Sequence, residues 1–238
     1  MTPFTVAGLT TIVGRVLPEP HAGLLTGLLF GTKTSLSREL YEALVASGTL
    51  HVIALSGMNI SIMSRLLHCG LSWIVSRRVS SLLTIGMIWW FVWFVGPSPS
   101  IVRAAIMGSI SVLAVVFGRQ YWPLFTWVLA VGSMLLITPS WLMDISFQLS
   151  VLATLGIILF GGSDEAARHN GFSLGIVYQS VRENLRLTLA AQIFTVPLIW
   201  LYFHRVSLVS PVANVLIGWI IGPRSEERRV GKECRSRW

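Results

Sequence analysis

The sequence predicts an all-α, polytopic transmembrane helical protein of about seven helices, including short or broken ones. Three observations predict it. Charged residues make up only 12% of the 238-residue chain, against about 25% in soluble globular domains. Ten Trp and eleven Phe accompany a mean hydropathy of +0.71. The apolar residues recur as runs from residue 50 to residue 221, separated by short polar breaks, so the body of the chain rather than one anchor is suited to hydrocarbon.

Residues 1–20 are weakly apolar with scattered Thr and Gly and close on Pro18-Glu19-Pro20. They read as the end of a preceding region or a linker, without the charged start and apolar middle of a signal peptide. The run at 21–30 is too short to cross about 30 Å of hydrocarbon, which predicts an interfacial or re-entrant helix. At 37–44, Ser37 is placed to cap a helix, Arg38 and Glu42 stand one turn apart, and Leu36, Leu40, Leu44 and Val45 form an apolar stripe. An amphipathic surface helix is expected there.

Seven span candidates follow, at 50–67, 82–95, 101–117, 122–137, 145–160, 187–203 and 208–221. Arg77 and Arg78 interrupt the apolar run ahead of the second, which predicts a bend or short loop. Trp89, Trp90 and Trp93 mark a segment ending at an interface. Several candidates are nearer 15 than 20 residues long, which leaves short or broken helices open beside straight spans. The polar stretch 161–186 is expected to form a surface amphipathic helix, being too small to bury a core of its own. After Gly222 the composition flips to a basic, non-native-looking tail, 223–238. The expected organisation is therefore a linker at 1–20, a transmembrane domain at 21–222 and this tail. Residues 224–238 carry six cations against three acids and leave +5 of the +8 net charge to the rest, where membrane orientation accounts for cations at segment ends.

Polar groups inside the apolar runs are the candidate functional residues, because hydrocarbon offers them no water. His51, Ser56 and Asn59 lie in the first span candidate. Ser56, Asn59 and Met63 share a helical face, beside a strip of Gly57, Ser61 and Ser64 that licenses close helix approach. Asn59 on that face fits either packing or a polar pathway. Arg103, just after Pro97-Ser98-Pro99-Ser100, either snorkels to an interface or faces the interior as a phosphate contact. Asp144 stands where it can cap a helix, and Gln148, four residues on, must face protein or a cavity. Gln192 and Asn214 complete a set of one neutral amide in each of four span candidates, suited to a packing network or a polar passage. The five histidines and two cysteines show no metal-ligand spacing, and neither a phosphate-loop glycine pattern nor a serine nucleophile elbow is present. No enzymatic activity, cofactor or metal is expected. A small-solute permease and a structural membrane subunit remain open as alternatives to a larger conduit.

Several ordered elements carry a family resemblance. They are Gly27-Leu28-Leu29-Phe30-Gly31, the 46–57 stretch ending in His51-Val52-Ile53-Ala54-Leu55-Ser56-Gly57, the Arg-Ala element of 100–107, Ser146-Phe147-Gln148-Leu149-Ser150, Ala191-Gln192-Ile193-Phe194-Thr195-Val196-Pro197 and Pro211-Val212-Ala213-Asn214. Over residues 20–222 the chain resembles the competence domain of the ComEC family of bacterial inner-membrane DNA-uptake channel proteins. The resemblance implies passage of single-stranded DNA across the bacterial cytoplasmic (inner) membrane during natural transformation. Membrane lipid and other DNA-uptake machinery proteins are the implied partners, with homo-oligomeric association left open. It also implies that Asn59, Gln148, Gln192 and Asn214 line or brace the route, with Arg103 against the strand. Many relatives have histidine where this chain has Asn59, which removes a titratable or metal-binding side chain. Full-length relatives often add an oligonucleotide-fold domain and a metallo-β-lactamase-like domain. Neither is in this sequence, so the nuclease-type chemistry is not expected of it, and the chain reads as a fragment of the channel domain.

Overall fold

The computed structural model describes residues 5–31, 36–49, 57–118, 120–161, 174–204 and 209–221. All regular structure among the described residues is helical, with ten α-helices and one 3-10 helix. The chain divides into two compact units, Met1–Phe147 and Gln148–Trp238.

The first unit opens with α1 (Val6–Val16) packed on α2 (His21–Phe30). Helix α1 lies within the stretch read from the sequence as the end of a preceding region or a linker, where no helix was expected. Thr5 caps it by accepting from the Gly8 amide at 3.2 Å, and the Thr10 and Thr11 hydroxyls donate back to the Ala7 carbonyl at 2.9 and 2.6 Å. The hydroxyls that make the run look weakly helical are thus absorbed by its own backbone. Helix α2 is short, as expected, and ends at Gly31, whose φ of 67° is the left-handed conformation that lets the last turn close. In α3 (Arg38–Ala46) the Ser37 hydroxyl accepts from the Leu40 amide at 3.4 Å, and Arg38 pairs with Glu42 at 2.9 Å. Leu36, Leu40 and Leu44 are half-buried while Val45 is exposed.

Helices α4 (Gly57–Ser72), α5 (Arg77–Val95) and α6 (Pro99–Val116) pack mutually and form the core of this unit. The expected break falls between α4 and α5. Ile60, Ile88, Val92, Ile101, Ala104 and Ala105 are the buried cluster. Helices α4 and α6 approach closely at small residues: a β-carbon on Gly57 would be in ordinary contact with Ala104 Cβ at 3.6 Å, and one on Gly108 with Ile60 Cγ2 at 3.8 Å. Helix α5 buries hydroxyls in its first turns and Ile88 and Val92 further on, and it exposes large apolar side chains. Ser80, Ser81 and Thr84 are buried, whereas Leu82, Leu83, Met87, Trp89, Trp90 and Trp93 are exposed. The inward hydroxyls are satisfied locally, Ser80 donating to the His68 carbonyl at 3.1 Å and Thr84 to the Ser80 carbonyl at 2.8 Å. Helix α7 (Pro123–Ile137) packs on α6 and buries Thr126, Ala130 and Met134, one turn apart each; a 3-10 turn, Pro139–Met143, follows.

Helix α8 (Ile145–Phe160) runs from the first unit into the second, which also contains α9 (Leu174–Phe203) and α10 (Ser210–Ile221). The 30-residue α9 corrects the separation of a surface helix at 161–186 from a span at 187–203. From 176 to 196 the sequence has neither Gly nor Pro to stop the helix, and the Arg186 Nε donates to the Phe160 carbonyl at 3.2 Å, so a charge in mid-helix serves the last turn of α8. Pro197 lies within α9 without ending it. Each of the seven span candidates corresponds to a helix, α4 to α10, and α1 to α3 raise the count to ten among the described residues. Among the described residues two helical stretches are long and apolar enough to cross a membrane by length and composition, Arg78–Val95 and Val181–Tyr202, while Pro99–Ala114, Pro123–Ile137 and Ile145–Phe160 are apolar but shorter.

Candidate functional site

Among the described residues of the first unit Arg103 is a buried charged side chain, 9% exposed, beside Ile101, Ala104 and Ala105. The side chain is turned toward the helices of its unit. Its Nη1 donates to Met107 Sδ at 3.6 Å, and its Nη2 lies 3.8 Å from where a Gly57 β-carbon would stand. The guanidinium therefore lies at packing distance from the backbone of α4. A guanidinium held away from water must be offset by partners around it.

Arg103, Met107, Ile110 and Ala114 follow one face of α6 by helical spacing. Ile110 and Ala114 form one wall of a cavity of about 340 Å³ between α6 and α7; Phe125 and Thr126 form the other, and Gln120, Tyr121 and Trp122 join them. The Tyr121 phenol hydrogen-bonds the Thr126 side chain and feels the Arg103 guanidinium. Burial pushes its pKa above the ordinary tyrosine value, against the smaller opposing effects of these two neighbours. Tyr121 is therefore a neutral ring and hydroxyl at physiological pH. On the same helix as Arg103 the Ser109 hydroxyl is buried and unpartnered.

In the second unit two of the four amides meet. Gln192 Nε2 of α9 and Asn214 Nδ2 of α10 both donate to Ser210 Oγ, each at 3.3 Å, and Asn214 Oδ1 is buried without a partner. Ser210 thus ties the two helices through a shared acceptor. Ser210→Ala is expected to lower stability by about 1–3 kcal/mol, measured by denaturation of the detergent-solubilised chain. A change within about 0.5 kcal/mol would mean that the two amides lean on other groups.

Asp144 serves the backbone. Its Oδ1 accepts from the Ser146 and Phe147 amides at 2.7 and 3.4 Å, which caps α8. Gln148 is half-buried one turn on. His51 and Ser56 lie outside the described residues, as does the side chain of Asn59, whose backbone belongs to α4. Among the described residues no three His, Cys, Asp or Glu side chains gather as metal ligands. Sequence reasoning passed over Ser80, Thr84, Tyr121 and Ser210. The first two carried a signal, hydroxyls four apart within an apolar run; Tyr121 and Ser210, at a break and a helix start, carried none.

Among the described residues the class these features define is an all-helical one that buries hydroxyls and an arginine beside its apolar core and exposes many large apolar side chains. The Competence protein family model matches residues 28–223, and the chain belongs to that family. It is 23% identical over 218 residues to ComE operon protein 3 of Bacillus subtilis (strain 168), covering 88% of this chain and 26% of that protein. It is 24% identical over 216 residues to the uncharacterized protein YcaI of Escherichia coli (strain K12), covering 87% of this chain and 28% of that protein. The chain thus spans about a quarter of the length of these curated relatives. No solved structure matches it.

Proposed function

We propose that the chain is part of a multi-pass domain of the bacterial cytoplasmic membrane that gives single-stranded DNA a route inward during natural transformation. Arg103 carries the reading: a guanidinium held inside a helix group whose outer surface is Leu, Met and Trp suits a phosphate that must pass without lipid contact. The inward Ser80, Ser81 and Thr84 and the Gln192–Ser210–Asn214 cluster supply neutral hydrogen-bonding groups. Membership of the Competence protein family supports the substrate, and further uptake proteins are the natural partners of a chain that spans about a quarter of its relatives.

The test is transport by the full chain reconstituted in lipid vesicles. A labelled single-stranded oligonucleotide is expected to become nuclease-resistant inside protein-bearing vesicles, beyond the level in empty ones, while labelled sugars and amino acids do not accumulate. Solute entry without oligonucleotide entry would turn the reading into a permease. Entry of neither would leave a structural subunit.

A further inference from the structure

We propose that the cavity between α6 and α7 is a nucleobase-stacking site, taking one unstacked base of a single strand with the adjoining phosphate turned toward Arg103. This rests on the strand being the substrate. Three observations carry it.

The first is the lining. Tyr121, Trp122 and Phe125 present aromatic rings to a space of about 340 Å³, at the small end of the roughly 300–1,000 Å³ of ligand sites. Trp122 and Phe125 are 70% and 63% exposed, large apolar surfaces without a covering neighbour. Stacking on aromatic rings accepts any base, because every base has a π-face, and a strand of arbitrary sequence requires that tolerance.

The second is the polar complement. Gln120 and Tyr121 add hydrogen-bonding groups to the same lining, which a lipid acyl chain cannot use and a base edge can. A second cavity of about 380 Å³, lined by Leu9, Phe30, Trp90, Phe91, Trp93 and Phe94, has only indole N–H groups to offer and suits an acyl chain. The two cavities differ in the chemistry that separates the occupants.

The third is charge placement. Arg103 stands two turns before Ile110 on the face of α6 that walls the cavity, about 10 Å along the axis at 1.5 Å per residue, and its guanidinium reaches Met107, in the direction of the cavity. A nucleotide seated on the rings has its phosphate on the side of the buried cation. The Thr126 hydroxyl also donates to the Trp122 carbonyl at 3.0 Å, which ties down the backbone of the residue just before α7.

The test uses the full chain in phosphatidylcholine nanodiscs and fluorescence anisotropy with two probes, a labelled oligothymidylate and an abasic strand of the same length and charge. Trp122→Ala and Phe125→Ala are expected to weaken oligothymidylate binding about tenfold and leave the abasic strand unchanged, with Trp122→Phe restoring most of the loss. Equal weakening of both probes, or of neither, overturns the stacking site. If the unaltered chain binds both strands equally and only Arg103→Gln weakens them, the stacking site fails while the strand reading stands. If it binds neither, both fail. Loss of Trp122→Ala protein from the bilayer with unchanged oligonucleotide affinity makes Trp122 an interfacial anchor, and overturns the site as well.

Discussion

Arg103→Gln is expected to weaken binding of a single-stranded oligonucleotide to the bilayer-held chain at least about tenfold, the scale of a lost hydrogen bond to a charged group. It is also expected to lower the slope of log affinity against log salt by about 0.7, the counterion equivalent of one phosphate contact on a single strand. The salt slope decides the matter, because a residue that only braced the helices would change affinity without changing the number of ions released. The interior position makes the effect large: the guanidinium is 9% exposed and lies against α4 at Gly57, so little water screens it from a bound phosphate. Arg103→Met separates function from folding, since replacing a buried charge by an apolar side chain of similar reach is often neutral for stability. Its thermal midpoint is expected to stay near that of the unaltered chain while strand affinity falls as in the glutamine variant. Arg103→Lys keeps the charge but not the forked geometry, and should retain the salt slope with reduced affinity. Unchanged affinity and slope in all three variants would remove Arg103 from the strand's path.

What could be read from the sequence was what local chemistry decides. The Ser37 cap, the Arg38–Glu42 pair and the break before Arg77 each depend on residues within a turn of one another, and each stands in the structure as expected. Helix α1 was missed because threonines count against a helix until their hydroxyls are seen to bond to Ala7. The continuity of α9 was missed because its charged first half looks like surface, although nothing in it stops a helix and Arg186 has a carbonyl partner from another helix. For the candidate site the limit is of the same kind. An arginine one turn into a helix snorkels or turns inward according to what packs beside it, and the neighbour, Gly57, is some 46 residues earlier. Gln192 and Asn214 were legible as amides in oily segments, but their meeting at Ser210 depends on how α10 folds back on α9. Tyr121 and Trp122 looked like the edge of a span, and only the packing of α6 on α7 makes them a wall.

The same glycine-to-alanine change at two helical positions is expected to move stability in opposite directions. Gly156 on α8 faces α9 so closely that a β-carbon there would overlap the Ala190 carbonyl oxygen and come within 3.0 Å of its carbon and 3.2 Å of Phe194 Cδ2. The obstructing oxygen is backbone and cannot rotate aside, so the two helices must part. Ala190, 2% exposed, then loses its cover, and the ring contact of Phe160 with Phe194 at 6.2 Å opens. Overpacking of this kind costs about 1–3 kcal/mol, and more where the backbone itself is displaced. Gly132 on α7 has nothing within 4 Å of its would-be β-carbon, so Gly132→Ala gains the helical preference of alanine, about 0.5–1 kcal/mol. Denaturation of the two variants in one detergent measures the contrast, and a common sign would mean that α8 and α9 are not held at backbone distance. The separation also has a functional reach within this unit. Gln192 follows Ala190 by two residues on α9 and bonds Ser210 at the start of α10, so pushing α9 off α8 strains the amide cluster. Gly156→Ala is therefore expected to reduce strand passage in vesicles even at temperatures where the chain stays folded, whereas Gly132→Ala leaves passage intact.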